Sequence, residues 1–189
     1  MKTHTFITRI ALVLFLAMTF YSCKNPSTES KKTETETEML TKAFEAEFIG
    51  DYMYAGPDTL PNPKCTDTIF PYRVIVDAKG TSELLGDMKV HFDFCAHWEN
   101  GSYGNTYAYL VDKDNDTLFA TCEGIVIPGK EEDHPSYVTS YWRDDFEIIG
   151  GTGKFVGATG EGKTDDYNSS EDPNSHHRWK GNIKMMKVE

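Results

Sequence analysis

Hydrophobic and polar residues alternate along most of the chain after residue 43, in runs of strand length. A period of two places successive side chains on opposite faces, so this pattern predicts β-strands with one buried face. Gly, Asn, Asp and Pro separate the runs and supply the backbone conformations that turns require. Eight strands are predicted, near Phe44–Tyr54, Phe70–Ala78, Met88–Glu99, Tyr103–Asp112, Thr117–Ile127, Tyr137–Ile149, Lys154–Lys163 and His177–Val188.

The short connections between these strands predict antiparallel neighbours in a meander. Eight antiparallel strands rich in aromatic residues commonly close into a barrel, because closure removes the exposed edges and can leave room for one small ligand. We therefore expect an all-β domain over residues 43–189, an eight-stranded antiparallel β-barrel. An open sandwich is the competing architecture.

The N-terminus has a different pattern, with basic Lys2 and Arg9 before the apolar run Ile10–Phe20. This run is shorter than the roughly 20 residues that a transmembrane helix needs, and the order is typical of a signal peptide. Cys23 follows a serine, which resembles the lipobox of bacterial lipoproteins. The resemblance implies that residues 1–22 form a lipoprotein signal peptide and that Cys23 carries the lipid. An ordinary secretory signal is the alternative.

Residues 23–42 are predicted to be a lipidated, flexible tether, because they are polar and low in complexity. Lys24 follows the cysteine, and in Gram-negative lipoproteins this implies release to the outer membrane. We therefore expect a protein of the bacterial cell envelope whose membrane contact is the lipid at Cys23.

The net charge of the chain limits the kinds of partner that it can bind. The chain carries 30 Asp and Glu against 19 Lys and Arg, a formal net charge of −11. Nucleic-acid binding needs clustered basic residues that contact phosphates, so no nucleic-acid partner is predicted.

The segment Phe146–Gly162 has the most specific sequence, F-E-I-I-G-G-T-G-K-F-V-G-A-T-G-E-G. Gly150, Gly151 and Gly153 allow a tight chain reversal at positions that other residues avoid. A phosphate-binding loop would need a helix after the glycines, whereas a strand is predicted there. No cofactor is therefore predicted.

Together with Phe155, these glycines resemble the hairpin motif of the allene oxide cyclase and dirigent-like barrel superfamily, GGTG-x-F before a strand rich in small residues. Gly157 and Gly160 also fall on matching positions. The resemblance implies a closed eight-stranded barrel whose apolar lumen opens at one end. It implies no catalytic residues here, because those of the family lie outside the motif, and none is predicted.

The segment V-H-F-D-F-C-A-H-W places four potential metal ligands on one face of the predicted third strand. The first and last lie about 20 Å apart at the rise of a strand, so one ion cannot bind all four. We predict no metal site and expect this polar face in water. A polar inward face and a metal bound by a pair with other strands are the alternatives. The four residues are His91, Asp93, Cys95 and His97.

The opposite face of this strand is apolar and is expected to line the lumen. The predicted lining residues are Val74, Val76, Phe92, Phe94, Trp98 and Trp142.

Three cysteines remain besides Cys23, in a compartment where disulfides commonly form. Cys95 and Cys122 lie two strands apart, about 9.5 Å, which exceeds the usual reach of a disulfide. Cys65 lies in a connection that can fold back onto either of them. A Cys65–Cys95 disulfide is the expected pairing, and it would leave one free thiol.

Two acidic segments with histidines, residues 131–134 and 164–177, are interpreted as solvated loops. Neither has the ligand spacing of a known calcium motif.

Three functional hypotheses follow. The first is a non-catalytic, membrane-anchored barrel that binds a small apolar ligand or a protein partner. The second, which the family resemblance permits, is an isomerase or cyclase acting on an apolar substrate in the lumen. The third is a structural surface protein with a packed core. A cavity would exclude the third, and a buried ionisable residue beside it would favour the second.

Overall fold

A computed structural model describes residues 38–66 and 68–187. The predicted signal peptide, Cys23 and most of the predicted tether lie outside these residues. Within the described part, no helix is long and apolar enough to span a bilayer. Gly153–Phe155 forms a 3-10 turn. The strands are β1 (Met39–Pro57), β2 (Tyr72–Ser82), β3 (Gly86–Ala96), β4 (Ser102–Val111), β5 (Thr117–Cys122), β6 (Gly124–Ile125), β7 (Ile127–Pro128), β8 (Val138–Trp142), β9 (Asp145–Gly151), β10 (Thr159–Thr164), β11 (Asp166–Ser169) and β12 (Ser175–Met186).

Eight of these strands form a closed antiparallel barrel. Their order is β1, β2, β3, β4, β5, β9, β10 and β12, and β12 pairs again with β1. Each barrel strand thus has a neighbour on both sides, which leaves no open edge. The prediction of an all-β, eight-stranded antiparallel barrel is confirmed.

The first strand is longer than predicted. β1 begins at Met39, which pairs with Met186 near the end of β12. The last residues of the predicted tether, from residue 39 to residue 42, therefore belong to the barrel. The long β12 supplies the hydrogen-bonding partners of residues 39–42. The polar composition of these residues does not indicate that pairing.

The predicted sixth strand, Tyr137–Ile149, is two strands. β9 stays in the barrel between β5 and β10, whereas β8 leaves it and pairs with β7 and β11. The chain changes course at Arg143 and Asp144, between the two strands. We call β7, β8 and β11 the flap.

One half of the barrel has a packed interior that the glycine motif closes. Phe155, in the 3-10 turn, is fully buried. Thr152 donates its backbone N–H to the carbonyl of Thr117 over 2.8 Å, and its hydroxyl accepts the N–H of Thr117 over 3.0 Å. The motif therefore acts as a plug. Large side chains buried in the same core cluster are Phe44, Leu110, Leu118, Phe146 and Ile183.

The connection within the motif is longer than the predicted tight turn. Gly150 and Gly151 still belong to β9, and β10 starts only at Thr159, so the predicted strand start at Lys154 is wrong. Gly153 has a φ of +55°, and a Cβ there would collide with Asp116. This close approach lets the chain turn inward and insert Phe155.

Candidate functional site

The other half of the barrel contains a cavity of about 80 Å³ that is partly open to solvent. At about 10–15 Å³ for each buried water, it has room for about five to eight waters. A closed cavity of about 150 Å³ holds benzene, so a small ring fits here with part of it in the open mouth of the cavity. The hypothesis of a lumen packed throughout is therefore contradicted. Apolar side chains form most of the wall: Val76, Phe92, Phe94, Val126, Trp142 and Trp179.

The predicted lining residues divide into three groups. Val76, Phe92, Phe94 and Trp142 lie in the cavity wall. Val74 is buried in the core of the barrel and does not reach the cavity surface.

The prediction that Trp98 lines the lumen is wrong, because Trp98 lies outside the barrel. β3 ends at Ala96, and the chain turns as Gly101 donates its N–H to the carbonyl of His97 over 2.9 Å. The alternation that places Phe92 inside stops before Trp98. Its ring is half exposed and stacks on Tyr72 at 5.0 Å between centroids.

Three polar side chains form a hydrogen-bonded chain in the cavity wall. Oδ2 of Asp166 lies 2.9 Å from Nδ1 of His177. Nε2 of His177 lies 2.8 Å from Oγ of Ser175. All three residues are buried and line the cavity. We call this arrangement the relay.

The hydrogen bonds around Asp166 determine which nitrogen of His177 carries the proton. Its carboxylate accepts the backbone N–H of Arg178 over 3.0 Å and the indole N–H of Trp179 over 3.2 Å. Such donors stabilise a buried carboxylate in its charged form. A carboxylate accepts, so Nδ1 of His177 carries the proton. The Ser175 hydroxyl has two acceptors within reach, Nε2 of His177 at 2.8 Å and the carbonyl oxygen of Gly50 at 3.4 Å, and the shorter contact directs its proton to Nε2.

Strand alternation explains how the relay forms. Ser175, His177 and Trp179 occupy every second position of β12 and point inward, while Asp166 comes from β11. Gly50 of β1 lies opposite Ser175, and a Cβ at this glycine would come within 2.8 Å of the serine hydroxyl. The glycine therefore leaves the space that Ser175 occupies.

Aromatic rings hold the His177 imidazole in place. The imidazole stacks on Phe48 and Phe92, with centroids 4.7 and 5.2 Å apart. Trp142 of the flap packs edge-on at 5.8 Å. These contacts fix the plane of the imidazole, and the hydrogen bonds with Asp166 and Ser175 fix its direction within that plane.

A second polar group lines the cavity from β4 and β5. The hydroxyl of Tyr103 donates to Oδ2 of Asp144 over 2.8 Å and lies 3.3 Å from the thiol of Cys122. Burial raises the pKa of Cys122 to about 12 and also raises the pKa of Tyr103. Both groups are therefore protonated at neutral pH. Burial raises the pKa of Asp144 as well, although the hydrogen bond from Tyr103 opposes this.

Thr106 adds an unsatisfied hydroxyl to the wall. Its side chain lines the cavity and is only 4% exposed, yet its Oγ1 has no hydrogen-bond partner among the described residues. Leaving a buried hydroxyl unpaired costs about 1–3 kcal/mol. A polar atom of a ligand at this wall would offset that cost.

The polar face of β3 lies on the outer side of the barrel, but the expectation that it faces water is correct only in part. Cys95 is fully buried and the Asp93 side chain is only 18% exposed. His91 lies 2.7 Å from Asp77, and both are exposed. Asp93 accepts two hydrogen bonds from the Arg73 guanidinium, over 2.8 and 2.7 Å. In the described part of the chain, no group of three or more His, Cys, Asp or Glu side chains could hold a metal ion.

A disulfide joins Cys65 to Cys95, with the Cα atoms 5.4 Å apart. It fastens the connection between β1 and β2 to the outer face of β3. Cys122 is a buried free thiol.

The interpretation of residues 164–177 as a solvated loop is wrong, and the relay was missed with it. This segment contains β11 and the start of β12. Trp179, Ile183 and Met185 share the inward face of the predicted last strand, and Ser175 and His177 continue the same alternation. Extending that alternation backward would have found two of the three relay residues.

Comparison with solved structures gives a likeness in fold. No protein-family model and no curated protein matches the chain. Among solved structures, the chain is similar to a pterocarpan synthase dirigent protein, with a TM-score of 0.49 and 15% identity, over 90% of this chain and 100% of that chain. The strand pairings described above establish the barrel independently of this likeness.

Proposed function

We propose that the barrel binds one small aromatic molecule in its cavity. The observation that carries this proposal is the partly open, apolar cavity with the unpaired Thr106 hydroxyl in its wall. Ligand sites are typically apolar concavities with a few polar groups that fix orientation, and this cavity has that character. A protein partner would find no comparable fit in so narrow a space.

The shape of the cavity limits the ligand. About 80 Å³ is too small for a long lipid or a polycyclic molecule. Phe92, Phe94 and Trp142 offer ring faces and edges, against which a flat ring packs better than an aliphatic chain. A monocyclic aromatic compound with one or two polar substituents fits both constraints.

The membrane anchor is the second part of the proposal, and it rests on the sequence alone. A lipid on Cys23 would hold the barrel close to a membrane surface of the bacterial envelope, most simply the outer membrane. Labelled palmitate should enter the wild-type chain and not the Cys23→Ser variant. Equal labelling of the two would contradict the anchor.

Binding can be tested with a matched pair of variants at neighbouring positions. Val126 lies in the cavity wall, whereas Ile125 is 45% exposed. With phenol and toluene as probes in ligand-observed NMR, we expect binding by the wild type and by Ile125→Phe. Val126→Phe fills the cavity and should abolish binding. Absence of binding to the wild type, or binding that survives Val126→Phe unchanged, would overturn the proposal.

A further inference from the structure

We propose that the relay makes the cavity an acid–base site, which takes the hydroxyl proton from a bound phenol. This inference rests on the proposed binding function and names its ligand class. It is carried by the relay geometry: Ser175 lies in the cavity wall, His177 accepts from it over 2.8 Å, and Asp166 holds the far side of the imidazole at 2.9 Å.

The step transfers one proton and involves no oxidation. The O–H bond of the ligand breaks, and its proton passes to Oγ of Ser175. The proton that Ser175 carried passes to Nε2 of His177 in the same event. The products are a bound phenolate and an imidazolium, and the carboxylate of Asp166 balances the imidazolium charge.

Preorganisation favours this transfer. An apolar wall alone would disfavour the phenolate, since burial penalises a charged group. Asp166 already accepts hydrogen bonds from Arg178 and Trp179, so it need not reorganise when the imidazolium forms. Phe48 and Phe92 stack on His177 and keep Nε2 directed at Ser175.

The other ionisable groups near the relay are neutral donors. From β1, Tyr52 donates its hydroxyl to Asn168 over 2.9 Å, and desolvation raises its pKa. From β4 and β5, Tyr103 and Cys122 also have raised pKa values. From β3 and β8, only the rings of Phe92 and Trp142 pack against the imidazole. The relay is therefore the basic group of this cavity among the described residues.

Acyl transfer is a poorer use of the same three side chains. A serine nucleophile needs amide donors that stabilise an oxyanion. The backbone at Ser175 is committed to ladders with β1 and β11, and its hydroxyl lies 3.4 Å from the carbonyl oxygen of Gly50. An oxyanion on a bound ester would therefore receive no donor from the Ser175 backbone.

The probe for this proposal is 4-nitrophenol, whose phenolate absorbs visible light. The full chain is titrated with the probe over a range of pH, and the absorbance of the bound probe gives its ionised fraction. We expect the apparent pKa of the bound probe to fall by about one unit relative to the probe on His177→Gln, a tenfold change in the ionisation constant. His91→Gln, which alters an exposed histidine, should behave as the wild type.

A second measurement keeps the test decisive if His177→Gln folds poorly. In ¹⁵N NMR of the wild type, Nε2 of His177 should change from an unprotonated to a protonated nitrogen when 4-nitrophenol binds. Bound probe that stays protonated, an Nε2 signal that does not change, or equal ionisation on His177→Gln would overturn this inference alone. Absence of any binding to the wild type would overturn the proposed function and the inference with it.

Discussion

Nδ1 of His177 lies 2.9 Å from Oδ2 of Asp166 inside the barrel, and two further N–H groups donate to the same carboxylate. Both residues are buried in the cavity wall. Burying such groups costs free energy unless each is hydrogen-bonded, and here each is. The cost of placing them beside a cavity is consistent with a role in ligand chemistry.

Asp166→Asn should destabilise the protein strongly. The amide cannot accept all three hydrogen bonds as a carboxylate does, and each buried donor left unpaired costs about 1–3 kcal/mol in the free energy of unfolding. Guanidinium unfolding measures this loss. Asp77→Asn, at the exposed pair with His91, is the control and should change the free energy by less than about 1 kcal/mol. Similar losses in the two variants would contradict the interpretation.

The Cys65–Cys95 disulfide should contribute substantially to stability. Its cysteines are 30 residues apart, and a loop of that length corresponds to about 3–4 kcal/mol in the chain-entropy model. The paired variant Cys65→Ala/Cys95→Ala should lose that amount in urea unfolding under oxidising conditions. Cys122→Ala keeps the disulfide and should retain sensitivity to added reductant. A reductant with no effect on the wild type would show that the bridge contributes nothing.

Acid should weaken the contact between β2 and β3 that Asp93 and Arg73 form. Burial alone would raise the pKa of Asp93, but hydrogen bonds and charge from Arg73 and Lys64 outweigh it, and the pKa is lowered. The folded pKa is thus below the unfolded one, so the stabilisation is complete above about pH 5 and is lost as pH falls below about 4.

Asp93→Asn should therefore be less stable than the wild type at pH 7, and the difference should shrink towards pH 3. Thermal unfolding across that pH range measures it, with the exposed Asp87→Asn as the control. A difference that stays constant with pH would rule out the assigned ion pair.

Phe155→Ala should open the closed end of the barrel. The ring is fully buried, and removing a buried phenylalanine ring costs about 3–5 kcal/mol because a void remains. Val156→Ala alters the adjacent residue, which is 49% exposed, and should have little effect on the unfolding midpoint. Equal midpoints for the two variants would exclude the plug.

Local alternation was sufficient to predict the barrel and part of the cavity. Phe92 faces inward and His91 outward because they are neighbours in one regular strand. Trp98 does not follow the inward–outward alternation of β3, since the turn that begins after Ala96 interrupts it. A strand ends where its hydrogen-bonding partner ends, and the sequence of one strand does not contain that information.

The relay depends on pairings between distant parts of the chain. Asp166 belongs to a strand of only four residues, which forms because β8 departs from the barrel to meet it. Its segment is polar and acidic, so composition favoured a loop. Only the three-dimensional pairing of β11 with β12 brings Asp166 to His177. That pairing makes the acidic segment around Asp166 part of the cavity wall.

The central claim is that the cavity binds a small aromatic hydroxyl compound, and crystals soaked with 4-bromophenol test it most directly. Anomalous scattering locates the bromine without reference to the protein. We expect a bromine peak inside the barrel among Phe92, Phe94 and Trp142, with the phenol oxygen at Ser175. Bromine found only on the outer surface, for example beside Trp98 and Tyr72, would contradict it.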